Sequence, residues 1–389
     1  TDAYSQPYDS LVVALQERQS RQAFDNFFNE FINIESAPYH EVALPDSVYE
    51  ARLHKLMSPI HLAYNDIVKR YIILYTTQRR KSMENILARS QYYFPMIEEE
   101  LDRAGLPVEL RMLPVVESAL SPTAISYVGA TGLWQFMYAT GKLYGLEVTS
   151  FVDQRRDPLL STRAACQFLK DLYGIYGDWT LAIAAYNCGP GNVNKAIKRA
   201  GGDAKTFWDI YPYLPKETRG YVPSFIAATY TYAFHYHHDI VPAENDLPLV
   251  TDTIMVNRPM HFGQITSTIG IPTEVLRALN PQYKMDIIPA TTKSYALTLP
   301  MGCITSFVEN EEEINSKDTV YLAEYITTSR TDPSKKVFSL DSYTYRVKSG
   351  DTLSGIAQKN HVTVAQLMKW NNIKNAHKLR IGQRLEIYR

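Results

Sequence analysis

At 389 residues, with 45% hydrophobic and 21% charged residues, the chain has the balance of a soluble globular protein and the length for two or three domains. A formal net charge of -1 supplies no long-range field to hold nucleic acid or anionic lipid, and no apolar run reaches the roughly 20 residues of a membrane-spanning helix. Three cysteines, Cys166, Cys188 and Cys303, are too few for a disulfide framework.

The opening "TDAYSQPYDS" has neither the basic nor the apolar segment of a leader, so the chain reads as a mature or trimmed product. From about Leu11 to about His238 the pattern is helical. Apolar residues recur at spacings of three and four in "AFDNFFNEFINI", "YNDIVKRYIILY" and "FPMIEEELDRAGL", with Gly105 and Pro107 closing the last. Glu117 follows in "MLPVVESAL", and then "SPTAISYVGATGLWQFM" forms a loop and a turn into a helix. Gly129 and Gly132 there permit positive φ or close backbone approach. "GDWTLAIAAYNCGPGNVNKAIKRAGG" predicts two helices, the first capped by Asp178 and ended by Gly189 and Pro190, the second ended by Gly201.

After about Val241 the texture changes to short β-prone runs around short helices. "IMVNRPMHFGQITSTIGIPTEVLRALN" aligns without a gap on "YRVKSGDTLSGIAQKNHVTVAQLMKWN", given one residue of slack at the first position. Val256 matches Val347, Phe262 matches Leu353, Ile265 matches Ile356, Ile271 matches Val362, Leu276 matches Leu367 and Asn280 matches Asn371. In the second copy Gly350 suits a tight turn, Asp351 or Thr352 a first helix cap and Thr363 a second. The first copy has "NRPMHF" at that place, so its turn glycine and cap are expected to be lost. The acidic, then Ser/Thr/Asp/Pro-rich stretch between the copies reads as an exposed connection with one strand at "TVYLAEYI".

Apolar neighbours at Leu113, Val115, Val116 and Leu120 disfavour a charged Glu117 and raise its pKa, the change a general acid needs near neutral pH. "FHYHHD" is not read as a metal site, because on a helix His235 and His238 or Asp239 share a face that excludes His237. No cofactor is expected.

Three ordered motifs carry a resemblance: Glu117-Ser118, "SYVGATGLWQ" from Ser126 to Gln135, and "AYN" from Ala185 to Asn187. Together they resemble the lysozyme-like soluble lytic transglycosylase family. "LARSQYYFPMIEEELDRAGLPVELRMLPVVES" and "DQRRDPLLSTRAACQFLKDLYGIYGDW" are similar to its membrane-bound lytic murein transglycosylase D subgroup, and "YRVKSGDTLSGIAQKNHVTVAQLMKWNN" resembles a LysM module. Trp134 stands where methionine is commoner and Cys188 where alanine is usual; Trp134 reads as a packing residue.

The resemblance implies an α+β multidomain chain, with a mainly α-helical lysozyme-like catalytic domain followed by small βααβ LysM-type modules. The expected divisions are a helical region at 1–90 packing on the catalytic domain, the transglycosylase domain at 91–242, a degenerate LysM-like module at 243–302, a linker at 303–341 and a peptidoglycan-binding LysM module at 342–389. It implies Glu117 as sole catalytic acid and base. Ser126, Gln135, Met137 and Tyr186 would meet the glycan, with Ser118 and Asn187 bracing the site. Gly350, Asp351, Thr352, Leu353, Leu379 and Ile381 would form the LysM glycan groove.

Glycosidases usually need two carboxylates, and no second one stands out beside these motifs. One acid suffices if the substrate's 2-acetamido carbonyl supports the cation at C1 and its own C6 hydroxyl attacks, which gives a 1,6-anhydromuramoyl end. The expected partner is the peptidoglycan glycan strand, and the expected location is the bacterial periplasm or cell envelope. Membrane contact is expected only through a lipid anchor on a removed segment at the outer membrane.

Overall fold

The computed structural model describes residues 44–203, 206–244, 247–328, 336–338, 342–360, 362, 364–371, 373–375 and 379–388. The expected helix in "AFDNFFNEFINI" and the cap at Thr363 lie outside the described residues. Two units form. Among the described residues, the first holds those from Leu44 to Val148 and from Gln154 to Leu249; the second holds Thr149–Asp153 and those from Val250 onward.

The helices of the first unit are α1 (Asp46–Lys55), α2 (Asp66–Thr76), α3 (Arg80–Ala104), α4 (Leu113–Ser118), α5 (Tyr138–Leu143), α6 (Pro158–Tyr176), α7 (Trp179–Cys188), α8 (Pro190–Arg199), α9 (Phe207–Ile210) and α10 (Lys216–Phe234). Their ends are written in the sequence. Asp157 and Asp178 accept the Leu160 and Leu181 amides, each at 2.8 Å, and cap α6 and α7. Gly105 and Gly177 close α3 and α6 in the left-handed conformation that costs glycine little. Gly189 ends α7 and Pro190 starts α8, as the sequence predicts. A single apolar core runs through these helices, including Ile97, Leu113, Trp134, Leu169, Ala185, Val222 and Phe225. No helix among the described residues is long and apolar enough to cross a membrane.

The second unit contains two βααβ modules. In the first, β1 (Thr251–Val256) pairs antiparallel with β4 (Tyr295–Pro300), with α11 (Phe262–Ile269) and α12 (Thr273–Leu279) between them. Its smaller pair is β2 (Met260–His261) with β3 (Ile287–Ile288). In the last module β7 (Ser342–Arg346) pairs with β8 (Arg384–Tyr388) around α16 (Leu353–Asn360) and α17 (Val364–Trp370). A further antiparallel pair, β5 (Ile326–Thr328) with β6 (Lys336–Phe338), stands between the modules.

The aligned residues of the two copies occupy equivalent places. Val256 and Val347, Phe262 and Leu353, Ile265 and Ile356, and Leu276 and Leu367 are all buried in their own module's core. The shared asparagine explains itself in geometry. Asn280 donates to the carbonyls of Leu276 at 3.0 Å and Thr298 at 2.8 Å and accepts the Thr298 amide at 2.8 Å. Asn371 makes the same three bonds, to Leu367 at 3.0 Å, Glu386 O at 2.8 Å and Glu386 N at 2.6 Å. In each copy one amide ties the second helix to the closing strand.

Three expectations change. The helix cap of the first copy is not lost: His261, aligned with Thr352, accepts the Gly263 amide on Nδ1 at 2.9 Å, while Gln264 accepts the His261 amide at 2.7 Å. The stretch read as an exposed connection from residue 303 begins as α13 (Ile304–Glu309), α14 (Glu311–Ser316) and α15 (Asp318–Tyr321). Its Phe307, Ile314 and Leu322 enter the first module's core, an apolar spacing hidden under the acidic run. "TVYLAEYI" is helical in its first half and extended only from Ile326. Thr149–Asp153, inside the span expected for the catalytic domain, also belongs to the second unit, where Phe151 and Val152 are buried and Val152 bridges Tyr283.

Candidate active site

The first unit holds a cleft of about 930 Å³, lined by Glu117, Ser126, Gln135, Met137, Tyr186 and Asn187 among others. The three sequence motifs are thus brought together. Glu117 lies in the last turn of α4, which is short for two reasons: Pro114 starts it, and Ala119 and Leu120 both take left-handed φ of 50° and 57°, turning the chain sharply. Ser118 fixes that end. Its hydroxyl is placed to donate to the carbonyls of Pro114 at 3.0 Å and Leu133 at 2.9 Å and accepts the Ser121 amide at 3.2 Å. It does not line the cleft, so it braces the site and leaves contact to its neighbours.

Glu117 is 8% exposed. Burial among apolar walls disfavours its carboxylate and pushes the pKa up to about 8; a hydrogen bond from Tyr221 opposes that rise and the carboxylate of Glu217 adds to it. The Tyr221 hydroxyl donates to Glu117 Oε1 at 2.5 Å. Glu117 therefore carries a proton at neutral pH. Sequence reasoning missed both partners. Glu217 lines the cleft, so a second carboxylate is folded in from α10, where burial raises its own pKa. The signal was a glutamate and a tyrosine four residues apart on one face of an apolar helix. Nothing in the sequence tied that helix to a glutamate 104 residues before Tyr221.

Two successive carbonyls of the glycine turn are held by site hydroxyls. Leu133 O takes Ser118, and Trp134 O takes the Tyr186 hydroxyl at 2.7 Å. Trp134 is fully buried, as a packing residue should be, and its indole N–H donates to Thr162 Oγ1 of α6 at 2.8 Å. Tyr186 packs on Phe168 with ring centroids 5.1 Å apart, part of an aromatic wall with Phe136 and Tyr144. Gln135 has φ of 48° and donates to the carbonyls of Ala124 at 3.1 Å and Gly132 at 2.8 Å. Its buried Oε1 has no hydrogen-bond partner among the described residues, and the residue lines the cleft. Ser126 Oγ accepts the Ala130 amide at 3.0 Å, Met137 is exposed at the rim, and Asn187 accepts Thr218 Oγ1 at 2.8 Å, tying α7 to α10.

Among the described residues no group of three or more His, Cys, Asp or Glu is placed to hold a metal. His238 instead faces Arg52 and Tyr230, with Nε2 at 3.3 Å and 3.0 Å, and burial lowers its pKa to about 4.

In the last module Gly350 has φ of 86°, Asp351 accepts the Lys348 amide at 2.7 Å and the Tyr345 hydroxyl at 2.9 Å, and Thr352 caps α16 through the Gly355 amide at 3.0 Å. Ile381 is exposed and Leu379 half-buried against the core. Leu353 is buried in that core, so its side chain is not offered to a ligand.

One buried, protonated carboxyl in an aromatic cleft on a helical frame, followed by βααβ modules, defines a class. The family model "Transglycosylase SLT domain" matches residues 94–208, "Lytic transglycosylase MltD, LysM-like domain" matches 250–316 and "LysM domain" matches 345–387. The chain thus carries a transglycosylase SLT domain followed by LysM-type modules. Within that class it is similar to "Membrane-bound lytic murein transglycosylase D" of Escherichia coli (strain K12), 32% identical over 313 residues, which are 79% of this chain and 66% of that protein. The match spans just under two thirds of that relative's length. "Soluble lytic murein transglycosylase" of the same strain is 35% identical over 118 residues, 28% of this chain and 18% of that one. The crystal structure of the 70 kDa soluble lytic transglycosylase Slt70 from Escherichia coli aligns over 61% of this chain and 46% of that one, at 18% identity and a TM-score of 0.33.

Proposed function

We propose that the chain is a peptidoglycan lytic transglycosylase that cleaves the β-1,4 bond between N-acetylmuramic acid and N-acetylglucosamine. The observation that carries this reading is Glu117, buried, with a pKa of about 8 and bonded by Tyr221 at the cleft. Glu117 gives its proton to the glycosidic oxygen as the bond from C1 breaks, and the substrate's 2-acetamido carbonyl supports the cation. The C6 hydroxyl then adds to C1 and returns its proton to Glu117. No water enters, and the product ends in a 1,6-anhydromuramoyl sugar. Acid and base assistance of this kind is worth about a hundred- to ten-thousand-fold. Gln135, the Ser126 hydroxyl and the Tyr186 and Phe168 rings, which line the cleft, are the contacts we assign to the bound sugars.

Glu217 favours one rival, a hydrolytic muramidase in which it would activate water. Digestion of purified sacculi decides. Wild type should release products lacking the added water and the reducing end, and Glu117→Gln should release almost none while still binding glycan. Hydrated, reducing products would assign hydrolysis; near-wild-type turnover by Glu117→Gln would remove Glu117 from the chemistry.

We further infer that the last module grips the glycan through Gly350, Asp351, Thr352, Leu379 and Ile381, holding the enzyme on an insoluble substrate. We give the first module a structural role, since Tyr321 stacks on His261 at 5.7 Å, against the edge that corresponds to Gly350–Leu353. Chitin oligomers should bind the last module and not the first. This substrate places the chain in the bacterial cell envelope, and a lipid on a preceding segment would hold it at the outer membrane.

A further inference from the structure

Beside the cleft, within the helical unit, lies a second cavity of about 580 Å³ lined by Leu143, Tyr144, Gln154, Arg163, Gln167 and Asp171 among others. Leu143, Tyr144 and Asp171 also line the cleft, so the two hollows share one wall. The Tyr144 hydroxyl donates to Asp171 Oδ2 at 2.8 Å on that wall. The chemistry changes across it. On the cleft side stand the rings of Tyr127, Phe136, Phe168 and Tyr186, and the acidic lining residues are Glu117, Asp171 and Glu217, with no lysine or arginine among the described residues. Among the described residues Tyr144 is the second cavity's only aromatic residue; Gln154, whose Oε1 accepts the Glu147 amide at 2.8 Å, keeps Nε2 to offer, Gln167, whose Nε2 donates to Asp171 Oδ1 at 2.8 Å, keeps Oε1, and Arg163 adds a guanidinium. Arg163 spends Nε and Nη2 on Glu100, each at 3.0 Å, which leaves Nη1 without a hydrogen-bond partner among the described residues. Its side chain is 50% exposed.

We propose that this second cavity holds the stem peptide of the substrate, an inference that rests on the peptidoglycan reading above. The peptide hangs from the lactyl group of the muramoyl sugar, so a muramoyl ring in the cleft puts it one covalent branch from the shared wall. Backbone carbonyls and amides of the peptide match Gln154 Nε2 and Gln167 Oε1, and its carboxylates match Nη1 of Arg163, a cation that the described lining of the cleft does not provide. A continuing glycan strand would need aromatic faces, and those stay on the other side.

The test compares glycan strands that bear peptides with the same strands stripped by an N-acetylmuramoyl-L-alanine amidase. For Arg163→Gln the ratio of kcat/KM on peptide-bearing to stripped strands should fall about five- to tenfold, the size of one partly solvated charge-assisted hydrogen bond, with the change in KM. Gln167→Glu leaves the Arg163–Glu100 pair in place and covers the case in which Arg163→Gln loosens α6. It should shift the ratio the same way by repelling the peptide carboxylates. An equal fall on both substrates would assign the cavity to glycan and overturn the proposal, as would an unchanged ratio in both variants. Wild type that releases no anhydro ends from either substrate would instead overturn the activity, and the peptide site with it.

Discussion

The proposed acid role requires Glu117 to hold a proton at neutral pH, and two neighbours pull its pKa in opposite directions. The Tyr221 hydroxyl stabilises the carboxylate and lowers it, while the Glu217 charge raises it. In its proposed role as general acid Glu117 works protonated, so the rate of the wild type should fall as pH rises through about 8. Tyr221→Phe should move that alkaline limb to higher pH and Glu217→Gln should move it lower, both read from pH profiles of kcat/KM. Stability carries the same sign. With a folded pKa of about 8 above the ordinary 4.5, the contribution of Glu117 is fully present below pH 4.5 and is lost as pH rises through 8. Glu117→Gln removes that loss, so its melting temperature should exceed the wild type's at pH 8, by about 1–3 kcal/mol in stability, and match it near pH 4. The apolar neighbours of Glu117 were legible in the sequence because they are adjacent in the chain. Tyr221 and Glu217 were not, since only folding brings α10 to α4.

At the scale of elements, the glycine turn shows how much local sequence can say. The need for Gly132 was legible, but its cause lies across the fold: a Cβ there would stand 1.8 Å from the carbonyl oxygen of Arg155, at a φ of +89°. Gly129, at +85°, faces open space. Gly132→Ala should therefore cost more than about 3 kcal/mol or prevent folding, whereas Gly129→Ala should cost about 1–2 kcal/mol from the left-handed conformation alone, as read by chemical denaturation. The Arg155 guanidinium completes the clamp, donating to the carbonyls of Gly129 at 3.1 Å and Phe136 at 3.2 Å. Trp134 holds the same turn from α6 through Thr162. Thr162→Val removes the acceptor without changing shape, so kcat should fall several-fold with KM little changed, and Thr162→Ser should restore it. A fall in both parameters that Thr162→Ser does not rescue would make the threonine a packing residue only.

Across the whole molecule, the duplicated βααβ pattern was legible because it is a repeat of buried positions, and Asn280 and Asn371 are its signature. What the sequence hid is the packing between those positions and the rest of the chain: Phe307, Ile314 and Leu322 under an acidic run, and Phe151 and Val152 far away in sequence. The first module's core is therefore larger than the repeat alone implies. The last module relies on a small core around Val347, Leu353, Ile356, Leu367, Leu385 and Ile387. Each asparagine satisfies a carbonyl and an amide of its closing strand, so replacing it with alanine leaves those groups unpaired at about 2–3 kcal/mol. That loss is a large share of what a module this small can hold. Asn371→Ala should accordingly unfold the last module and release the protein from sacculi in a sedimentation assay, while turnover of short soluble glycans continues. Asn280→Ala should lower the melting temperature of its module without releasing the protein. Equal retention of wild type and Asn371→Ala on sacculi would show that the last module is not what holds the enzyme to the wall.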